Sequence, residues 1–412
     1  MVENDIYNNK QKYESFKRNL SKLTIKSDKL SPNKKQIFYC KNPANIEYYR
    51  KLCEYFETRD LSYIRRMRVI GSLKLITYAT EIDLKECDRD DVNKIVTFMH
   101  TRYKSPKSKG DFIRDLKYLW KNLLPELDER GRIDETLIPY AVRHLSAKID
   151  KSRERIKGDK LTVQEYERFV NYFNEDPRMQ CYVTLAVESL GRPQELLYLR
   201  IKDIEIYDNY AKIWISEHGK EGTGFLQCID SFPYLMKWLK KHSFAKNKDA
   251  FLFFNMGNSK FGAQWSPYGI NKIIKKACSR LHIDKPVTCY SLKRNGVTFR
   301  RLKGDSDVQI QHAARWTSTK QLKNYDMSDQ EDAMKIELIK RGKIIAGEKM
   351  KQYEPKTKKC VCGSENGFTD QICGNCARPL DRRKIVVQEK FMEIPEIKEL
   401  FAKVLELKGE LV

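Results

Sequence analysis

A chain of 412 residues is long for one domain and predicts two or three, each able to bury a core. Its 79 Lys and Arg exceed its 56 Asp and Glu, and the net charge of +23 favours a polyanionic partner, nucleic acid before membrane. No apolar run approaches the roughly 18 residues of a membrane span, and the polar N-terminus is unlike a secretory signal. We therefore expect no membrane partner and an intracellular, cytoplasmic protein.

Residues 1–40 predict an N-terminal arm. Sparse apolar positions, among them Tyr13 and Phe16, are enough for a short helix before the Ser31-Pro32-Asn33 sequence breaks it. The sequence leaves open whether this arm is mobile or docks on a neighbouring subunit.

Residues 41–125 predict a small helical bundle. Four segments repeat apolar residues every three or four positions, which is typical of helices with one buried face. Their polar faces carry a set of basic residues: Arg65, Arg66, Arg68, Lys74, Lys104, Lys107, Lys109 and Lys117. Each residue alone fits an ordinary solvated surface, but clustered cations also suit phosphate contacts on DNA. Residues 126–157 are charged and predict a linker, with room for a helix between Leu137 and Ile149.

Residues 158–344 predict a second domain. A capping-box pattern at Thr162 to Glu165 opens it, and an apolar helix follows Met179. Three short strands are expected at Ile204–Tyr207, Tyr210–Ile215 and Phe225–Ile229, with helices after them.

Four short motifs follow one another in this second domain. They read GRPQEL at residues 191–196, GKEG at 219–222, YSLKR at 290–294 and RWTSTKQLKNYD at 315–326. In this order and spacing they resemble the catalytic domain of the tyrosine recombinase (phage integrase) family. The resemblance covers residues 43–343, and the continuation after Tyr325 is similar to that of archaeal-type integrases.

The resemblance implies a role for each matching residue. Tyr325 would be the nucleophile that forms a covalent 3′-phosphotyrosyl link to DNA, and Arg192, oriented by Glu195, would bind the phosphate. Lys220, in a β-hairpin turn, would protonate the departing 5′ oxygen. Trp316 can donate its indole N–H to a phosphate oxygen or pack against Tyr325. Plainer interpretations are a packing tyrosine, an arginine paired with Glu195, a surface lysine and a core tryptophan. No catalytic cofactor is implied.

The third motif departs from the family pattern His-x-x-Arg. Tyr290 stands in place of the histidine, Lys293 in place of the arginine, and Arg294 follows one residue later. Neighbours on a helix point about 100° apart, so one of the two cations is expected to face the pocket. The motif register favours Lys293. The planar fork of a second arginine favours Arg294, which we prefer; if neither reaches the phosphate, the site is weak or inactive.

Eleven cysteines fall into two groups. Seven are scattered singly and are interpreted as reduced, mostly buried thiols. The other four lie in residues 355–382 and resemble a zinc ribbon holding one structural Zn²⁺: Cys360, Cys362, Cys373 and Cys376. Its first pair is Cys-x-Cys rather than the usual Cys-x-x-Cys, and a redox pair is the alternative. Residues 383–412 predict an amphipathic end helix for a protein contact.

Together these features predict a mainly α protein with a small antiparallel β-sheet. The resemblance implies a helical core-binding domain, a tyrosine recombinase catalytic domain and a zinc ribbon. It further implies an enzyme that cuts and rejoins double-stranded DNA, acting as a homo-tetramer on paired sites. A DNA-binding protein of the same fold that has lost cleavage is the first alternative, and a zinc-ribbon adaptor is the second.

Overall fold

The computed structural model describes residues 7–24, 38–128, 130–134, 136–148, 158–215, 224–343 and 357–381, with Asp5, Ile394, Pro395 and Glu399. The chain divides into two compact units, residues 1–155 and 156–412. Among the described helices, none combines the length and the apolar character needed to cross a membrane.

Unit 1 is helical. Its helices are α1 (Asn9–Arg18), α2 (Ile46–Glu57), α3 (Tyr63–Ala79), α4 (Arg89–Arg102), α5 (Pro106–Leu123) and α6 (Tyr140–Arg143). Helices α2 to α5 lie on the four apolar stripes of the sequence, and their buried faces meet in one core that includes Leu52, Ile76, Ile95 and Leu116. The helix predicted after Leu137 in the linker reduces to the single turn of α6.

The N-terminal helix belongs to this core. Tyr13 and Phe16 of α1 are buried in the bundle, and the Tyr13 hydroxyl donates to a carboxylate oxygen of Glu57 at 3.2 Å. Over the described residues 7–24, the N-terminal segment is therefore neither a mobile arm nor a helix reserved for another subunit. Its two aromatic rings belong to the same hydrophobic core as the buried faces of the four predicted helices.

Unit 2 begins at a capping box. The Thr162 hydroxyl accepts the Glu165 backbone N–H at 3.1 Å, and Glu165 accepts the N–H of Thr162 at 2.7 Å. The helices that follow are α7 (Val163–Tyr172), α8 (Pro177–Glu188), α9 (Pro193–Tyr198), α10 (Phe232–Lys241), α11 (Pro267–Arg280), α12 (Cys289–Lys303), α13 (Asp307–Ala313), α14 (Leu322–Tyr325) and α15 (Gln330–Lys340). Helix α8 is buried from Pro177 to Val187, and it is the central helix of the unit.

A three-stranded antiparallel sheet of β1 (Ile204–Ile206), β2 (Ala211–Ile215) and β3 (Gly224–Cys228) lies within unit 2. The alternation of side chains along β2 buries Ala211, Ile213 and Ile215. At the far end of the β2–β3 pair, Ile215 is opposite Gly224. The hairpin predicted from the sequence is therefore present, and its turn lies outside the described residues.

Helices α8 and α12 approach each other closely at Gly296. A Cβ atom at this position would collide with the carbonyl oxygen of Val187, so the position requires a glycine. The contact fixes α12 against the end of α8, and therefore fixes residues 290–294 relative to the loop that carries Arg192.

The cysteine segment (residues 357–381) contains two short strands, β4 (Lys358–Lys359) and β5 (Glu365–Asn366), and docks on the rest of unit 2. The Thr369 hydroxyl hydrogen-bonds with the Tyr234 hydroxyl at 2.9 Å, and Phe368 packs against the rings of Tyr166 and Tyr234. Gly367 lies so close to Tyr234 that a Cβ there would collide with its ring. The end helix predicted for residues 383–412 lies outside the described residues.

Candidate active site

Arg192 is held by a sharp turn between α8 and α9. Leu190 adopts a left-handed backbone conformation with φ of 54°, and Pro193 starts α9 immediately after Arg192. Glu195 accepts the backbone N–H of Arg192 at 2.7 Å and an Nη1–H of its guanidinium at 3.3 Å. The predicted pairing of Arg192 with Glu195 is thus present, and it orients the guanidinium.

Arg315 shares that carboxylate, a contact that the sequence did not predict. Its Nη2 donates to Glu195 Oε2 at 2.7 Å, whereas Arg192 Nη1 contacts Oε1. Arg315 also has a left-handed backbone, with φ of 57°. The sequence feature that could have indicated Arg315 is its position directly before Trp316, in the fourth motif.

The rings of Trp316 and Tyr325 pack against each other at a tilt in a small apolar cluster. Their ring centroids are 5.1 Å apart with an interplanar angle of 34°. The cluster also contains Leu190 and Leu322, so it joins the turn before Arg192 to the helix that ends at Tyr325. Trp316 is 4% exposed, and its indole Nε1 has no hydrogen-bond partner among the residues that the structure describes. A buried donor of this kind is costly unless it binds something.

Lys293 and Arg294 point to different surroundings from neighbouring positions on α12. The Lys293 ammonium lies 5.3 Å from the Tyr325 ring centroid and 5.5 Å from that of Trp316. Arg294 forms an ion pair with the buried Asp159. The structure therefore brings Lys293, the residue favoured by motif register, next to Tyr325. Arg294, which the planar-fork argument favours for the phosphate, instead pairs with Asp159, a contact that the sequence does not predict.

The structure does not place two further predicted residues, Tyr290 and Lys220, in this cluster. Tyr290 is 41% exposed in the first turn of α12. Lys220 lies outside the described residues, in the segment that connects Ile215 to Gly224. Gly224, the first described residue after this segment, lies beside Arg315, because a Cβ atom at Gly224 would be 3.0 Å from Arg315 Cδ.

The predicted basic residues of unit 1 divide by exposure. Arg66 is buried and donates to the backbone carbonyl of Leu61, and its guanidinium lies over the rings of Tyr13 and Tyr63. Lys74 lies over Phe16, and burial lowers its pKa. These two cations therefore pack against aromatic rings of the bundle, and a contact of either with DNA stays a prediction. The remaining members keep exposed or half-buried side chains: Arg65, Arg68, Lys104, Lys107, Lys109 and Lys117.

The four clustered cysteines converge. Their sulfur atoms all lie within 4.8 Å of one another, with Cys360 Sγ 3.5 Å from Cys376 Sγ and Cys362 Sγ 3.7 Å from Cys373 Sγ. All four are free thiols. Four thiolates at about 2.3 Å from a tetrahedral zinc lie roughly 3.8 Å apart, so this donor set fits such an ion. The geometry fits a metal site better than the alternative of a redox pair.

Most of unit 2 is similar in sequence to a known family. Residues 159–332 match the model of the phage integrase family. No curated protein sequence matches the chain.

Solved structures of three proteins share the fold at low sequence identity. The XerH site-specific recombinase, in a post-cleavage complex with palindromic difH substrate, is 16% identical, with a TM-score of 0.55 over 79% of this chain and 94% of that chain. The Tn1549 transposon integrase, in complex with circular intermediate DNA, is 13% identical, with a TM-score of 0.54 over 71% and 98%. A lambda integrase tetramer bound to a Holliday junction is 14% identical, with a TM-score of 0.53 over 68% and 76%.

The family match spans Arg192, Glu195, Lys293, Trp316 and Tyr325, the residues that the structure gathers at one place. Residues 159–332 therefore form a domain of the phage integrase family.

Proposed function

We propose that Tyr325 attacks a DNA phosphodiester and becomes covalently joined to the 3′ phosphate. The observation that carries this proposal is the connection between Tyr325 and Arg192. Arg315 donates a hydrogen bond to Glu195, and Glu195 also accepts one from Arg192. Trp316, the residue after Arg315, packs against the ring of Tyr325. The proposed nucleophile, Tyr325, and the proposed phosphate-binding residue, Arg192, are therefore both positioned by contacts with residues 315–316.

The reaction exchanges one phosphoester for another. The Tyr325 oxygen bonds to phosphorus as the bond to the 5′ oxygen breaks, and the phenol proton leaves to solvent. Lys220 supplies a proton to the departing 5′ oxygen, as the family resemblance implies. A 5′ hydroxyl of a second strand then attacks the phosphotyrosine and releases Tyr325. Because the phosphoester is conserved throughout, rejoining requires no external energy source.

Arg192 binds the phosphate during both transfers. A phosphoryl centre gains negative charge on its non-bridging oxygens in the transition state, and a guanidinium fixed by a buried carboxylate stabilises that charge without reorganising. Trp316 is placed to donate its buried indole N–H to one of these oxygens. Lys293, packed against both rings, brings a positive charge beside the nucleophile.

The exposed basic residues of unit 1 contact the DNA backbone. They are cations on a chain of net charge +23, and neutralising phosphates with them releases counterions and makes binding sensitive to salt. The DNA complexes of XerH and the Tn1549 integrase, and the lambda integrase tetramer, support double-stranded DNA as the substrate and a homo-tetramer on paired sites as the acting form.

The cysteine segment holds one structural zinc ion. Cys360, Cys362, Cys373 and Cys376 supply four thiolates, and the ion would stabilise a segment whose two strands contain two residues each. The metal takes no part in strand transfer in this proposal.

Covalent trapping tests the proposal. Wild-type protein and Tyr325→Phe are incubated with a library of DNA duplexes nicked next to each phosphate in turn, so that the released fragment diffuses away and the adduct accumulates. We expect a denaturation-resistant adduct with wild type, mapped by mass spectrometry to Tyr325, and none with Tyr325→Phe, which still binds DNA. Salt-sensitive binding without any adduct would instead support the alternative of a DNA-binding protein that has lost cleavage.

A further inference from the structure

Phosphoryl transfer to a tyrosine needs more than one donor on the phosphate. Two non-bridging oxygens share the charge that develops, and Arg192 is one guanidinium. Lys293 is 1% exposed behind the rings of Trp316 and Tyr325, and Arg294 is paired with Asp159. The motif that would carry a second arginine therefore does not bring a planar fork to the site.

We propose that Arg315 is the second phosphate-binding guanidinium of this active site. This inference rests on the proposed function of Tyr325 and Arg192. It assigns a substrate contact to Arg315, a residue of the fourth motif for which the sequence predicted no role. Arg315 would bind one of the two non-bridging oxygens of the scissile phosphate, and Arg192 would bind the other.

Glu195 is a carboxylate shared by two arginines. It holds Arg192 through one oxygen and Arg315 through the other, so both guanidinium groups are fixed at one point. A guanidinium has five N–H donors in a rigid plane, so it can bond to a carboxylate and to a phosphate at the same time. The guanidinium groups of Arg192 and Arg315, both held by Glu195, can therefore donate to two oxygens of one phosphate.

Arg315 and Arg192 are also similarly accessible. The Arg315 side chain is 9% exposed and that of Arg192 is 12% exposed. Arg315 is therefore about as open to a ligand as the arginine that the family resemblance assigns to the phosphate, whereas Lys293 is enclosed.

The backbone of Arg315 is strained. A left-handed conformation is uncommon for a residue with a side chain, and such strain is concentrated at functional sites. Here it lets neighbouring residues serve different partners: Arg315 bonds to Glu195, while Trp316 packs against Tyr325. A relaxed backbone at residue 315 would not direct these two side chains in the same way.

The β2–β3 hairpin ends beside Arg315. Gly224 packs against the Arg315 side chain, at a distance that a Cβ atom would make tight. Arg315 thus lies where the Arg192 turn, the Tyr325 cluster and the start of β3 at Gly224 come together. These are the three elements that must surround the phosphate in the proposed reaction.

Cleavage of a neutral phosphate analogue tests the role directly. Arg315→Ala and Arg315→Lys are compared with wild type on a nicked substrate carrying either the normal phosphate or a methylphosphonate at the scissile position. The methyl group removes one charged oxygen, so an arginine that neutralises that oxygen is no longer needed. We expect Arg315→Ala to lose about a hundredfold or more in adduct rate on phosphate, and that deficit to shrink to about tenfold or less on methylphosphonate. Arg315→Lys should remain impaired on phosphate, because an ammonium cannot replace the planar fork.

A purely structural role gives a different pattern. If Arg315 only holds Glu195, its loss acts through Arg192, and the same diastereomer of the methylphosphonate then relieves the deficit of both Arg315→Ala and Arg192→Ala. That result, or an equal deficit of Arg315→Ala on both substrates, would overturn the inference, whereas relief of the two variants by opposite diastereomers supports two arginines on two oxygens. Because each variant is compared with itself on two substrates, a reduced folded fraction cancels from the ratio. Arg341→Ala is the matched control, since Arg341 forms an exposed pair with Glu337 at the end of α15 and should leave both rates unchanged.

Failure of this inference is distinguishable from failure of the proposed function. A wild type that forms an adduct, with Arg315→Ala within about threefold of it on phosphate, would refute the role of Arg315 alone. A wild type that forms no adduct on either substrate would refute the proposed function, and the inference with it.

Discussion

The ammonium group of Lys293 lies 5.3 Å from the centroid of the Tyr325 ring and 5.5 Å from that of Trp316. One turn of α12 therefore places a buried cation behind the proposed nucleophile. The next residue, Arg294, is held by Asp159. These two environments assign different tasks to two adjacent positive charges, and mutation separates the tasks.

Substitution of Lys293 by Met should slow covalent attachment and leave the fold intact. Met keeps the length and apolar contacts of the side chain against the two rings but removes the charge. We expect the rate of adduct formation to fall by about a hundredfold, the scale for losing one group that stabilises developing charge. Single-turnover trapping on the nicked substrate measures it, and a rate within about threefold of wild type would show that the charge has no part in the chemistry.

Substitution of Arg294 by Ala should act on stability instead. Asp159 is buried, and losing its cation leaves a carboxylate with fewer partners, at a cost of about 1–3 kcal/mol. Denaturant unfolding measures this loss, and the adduct rate of the folded fraction should change little. A large loss of rate with unchanged stability would restore Arg294 to the phosphate site.

Glu195→Gln should weaken catalysis through two arginines at once. The amide keeps the size of the carboxylate, but it loses the charge and one of the two acceptors that hold Arg192 and Arg315. Hydrogen bonds to charged groups contribute about 1.5–3 kcal/mol, so the adduct rate should fall by at least about tenfold. Glu337→Gln is the control, because Glu337 forms an exposed pair with Arg341. Equal rates for wild type and Glu195→Gln would show that the shared carboxylate does not position the arginines.

The sequence allowed prediction of those structural elements that leave a periodic or local pattern of residues. Apolar spacing located α2 to α5, the Thr162 capping box located the start of α7, and alternation located the three strands. It could not identify contacts between residues far apart in the chain. Arg294 meets Asp159 across 135 positions and Arg315 meets Glu195 across 120, so neither pair leaves a local pattern. The choice between Lys293 and Arg294 depended on the ion pair of Arg294 with Asp159. The planar shape of the arginine side chain gives no information about that distant partner.

The docking of the N-terminal helix was beyond prediction for a related reason. Tyr13 and Phe16 form a stripe too sparse to predict a stable isolated helix, since short helices are marginal in water. In the fold they are buried by α2 and α3, and the cation of Arg66 lies over the Tyr13 ring. Tertiary packing, rather than local propensity, stabilises this segment.

Gly296→Ala should destabilise unit 2, because the added methyl would meet the Val187 carbonyl where α12 crosses α8. Overpacking of this kind costs about 1–3 kcal/mol or more, since a backbone atom cannot move aside cheaply. Gly71→Ala is the matched control: Gly71 lies within helix α3, where an added Cβ would have nothing within 4 Å, and replacing a helical glycine by alanine should stabilise by up to about 1 kcal/mol. Denaturant unfolding of both variants should therefore give shifts of opposite sign. Shifts of the same sign would contradict the close helix contact.

Removal of the proposed zinc ion from the cysteine segment should loosen that segment and lower the stability of the domain on which it docks. Chelation, or Cys373→Ser, should remove the proposed zinc ion from the four thiolates, and the docked residues Phe368 and Thr369 would then lose their anchor. We expect faster hydrogen exchange in residues 357–381 and a fall in melting temperature of several degrees, since about 1 kcal/mol corresponds to roughly 2–4 °C in a domain of this size. The catalytic residues are elsewhere, so the adduct rate at low temperature should be retained.

Thr369→Ala separates metal binding from docking. It removes the hydroxyl that bonds to Tyr234 and Gln180 but leaves all four cysteines. This variant should bind one zinc per chain, measured by metal analysis, yet show part of the loss in melting temperature, because the docked contact is weakened while the thiolate site is intact. If wild-type protein contains no metal and residues 357–381 are equally protected with and without chelator, then the apolar contacts of Phe368 alone stabilise the segment, and the zinc assignment is wrong.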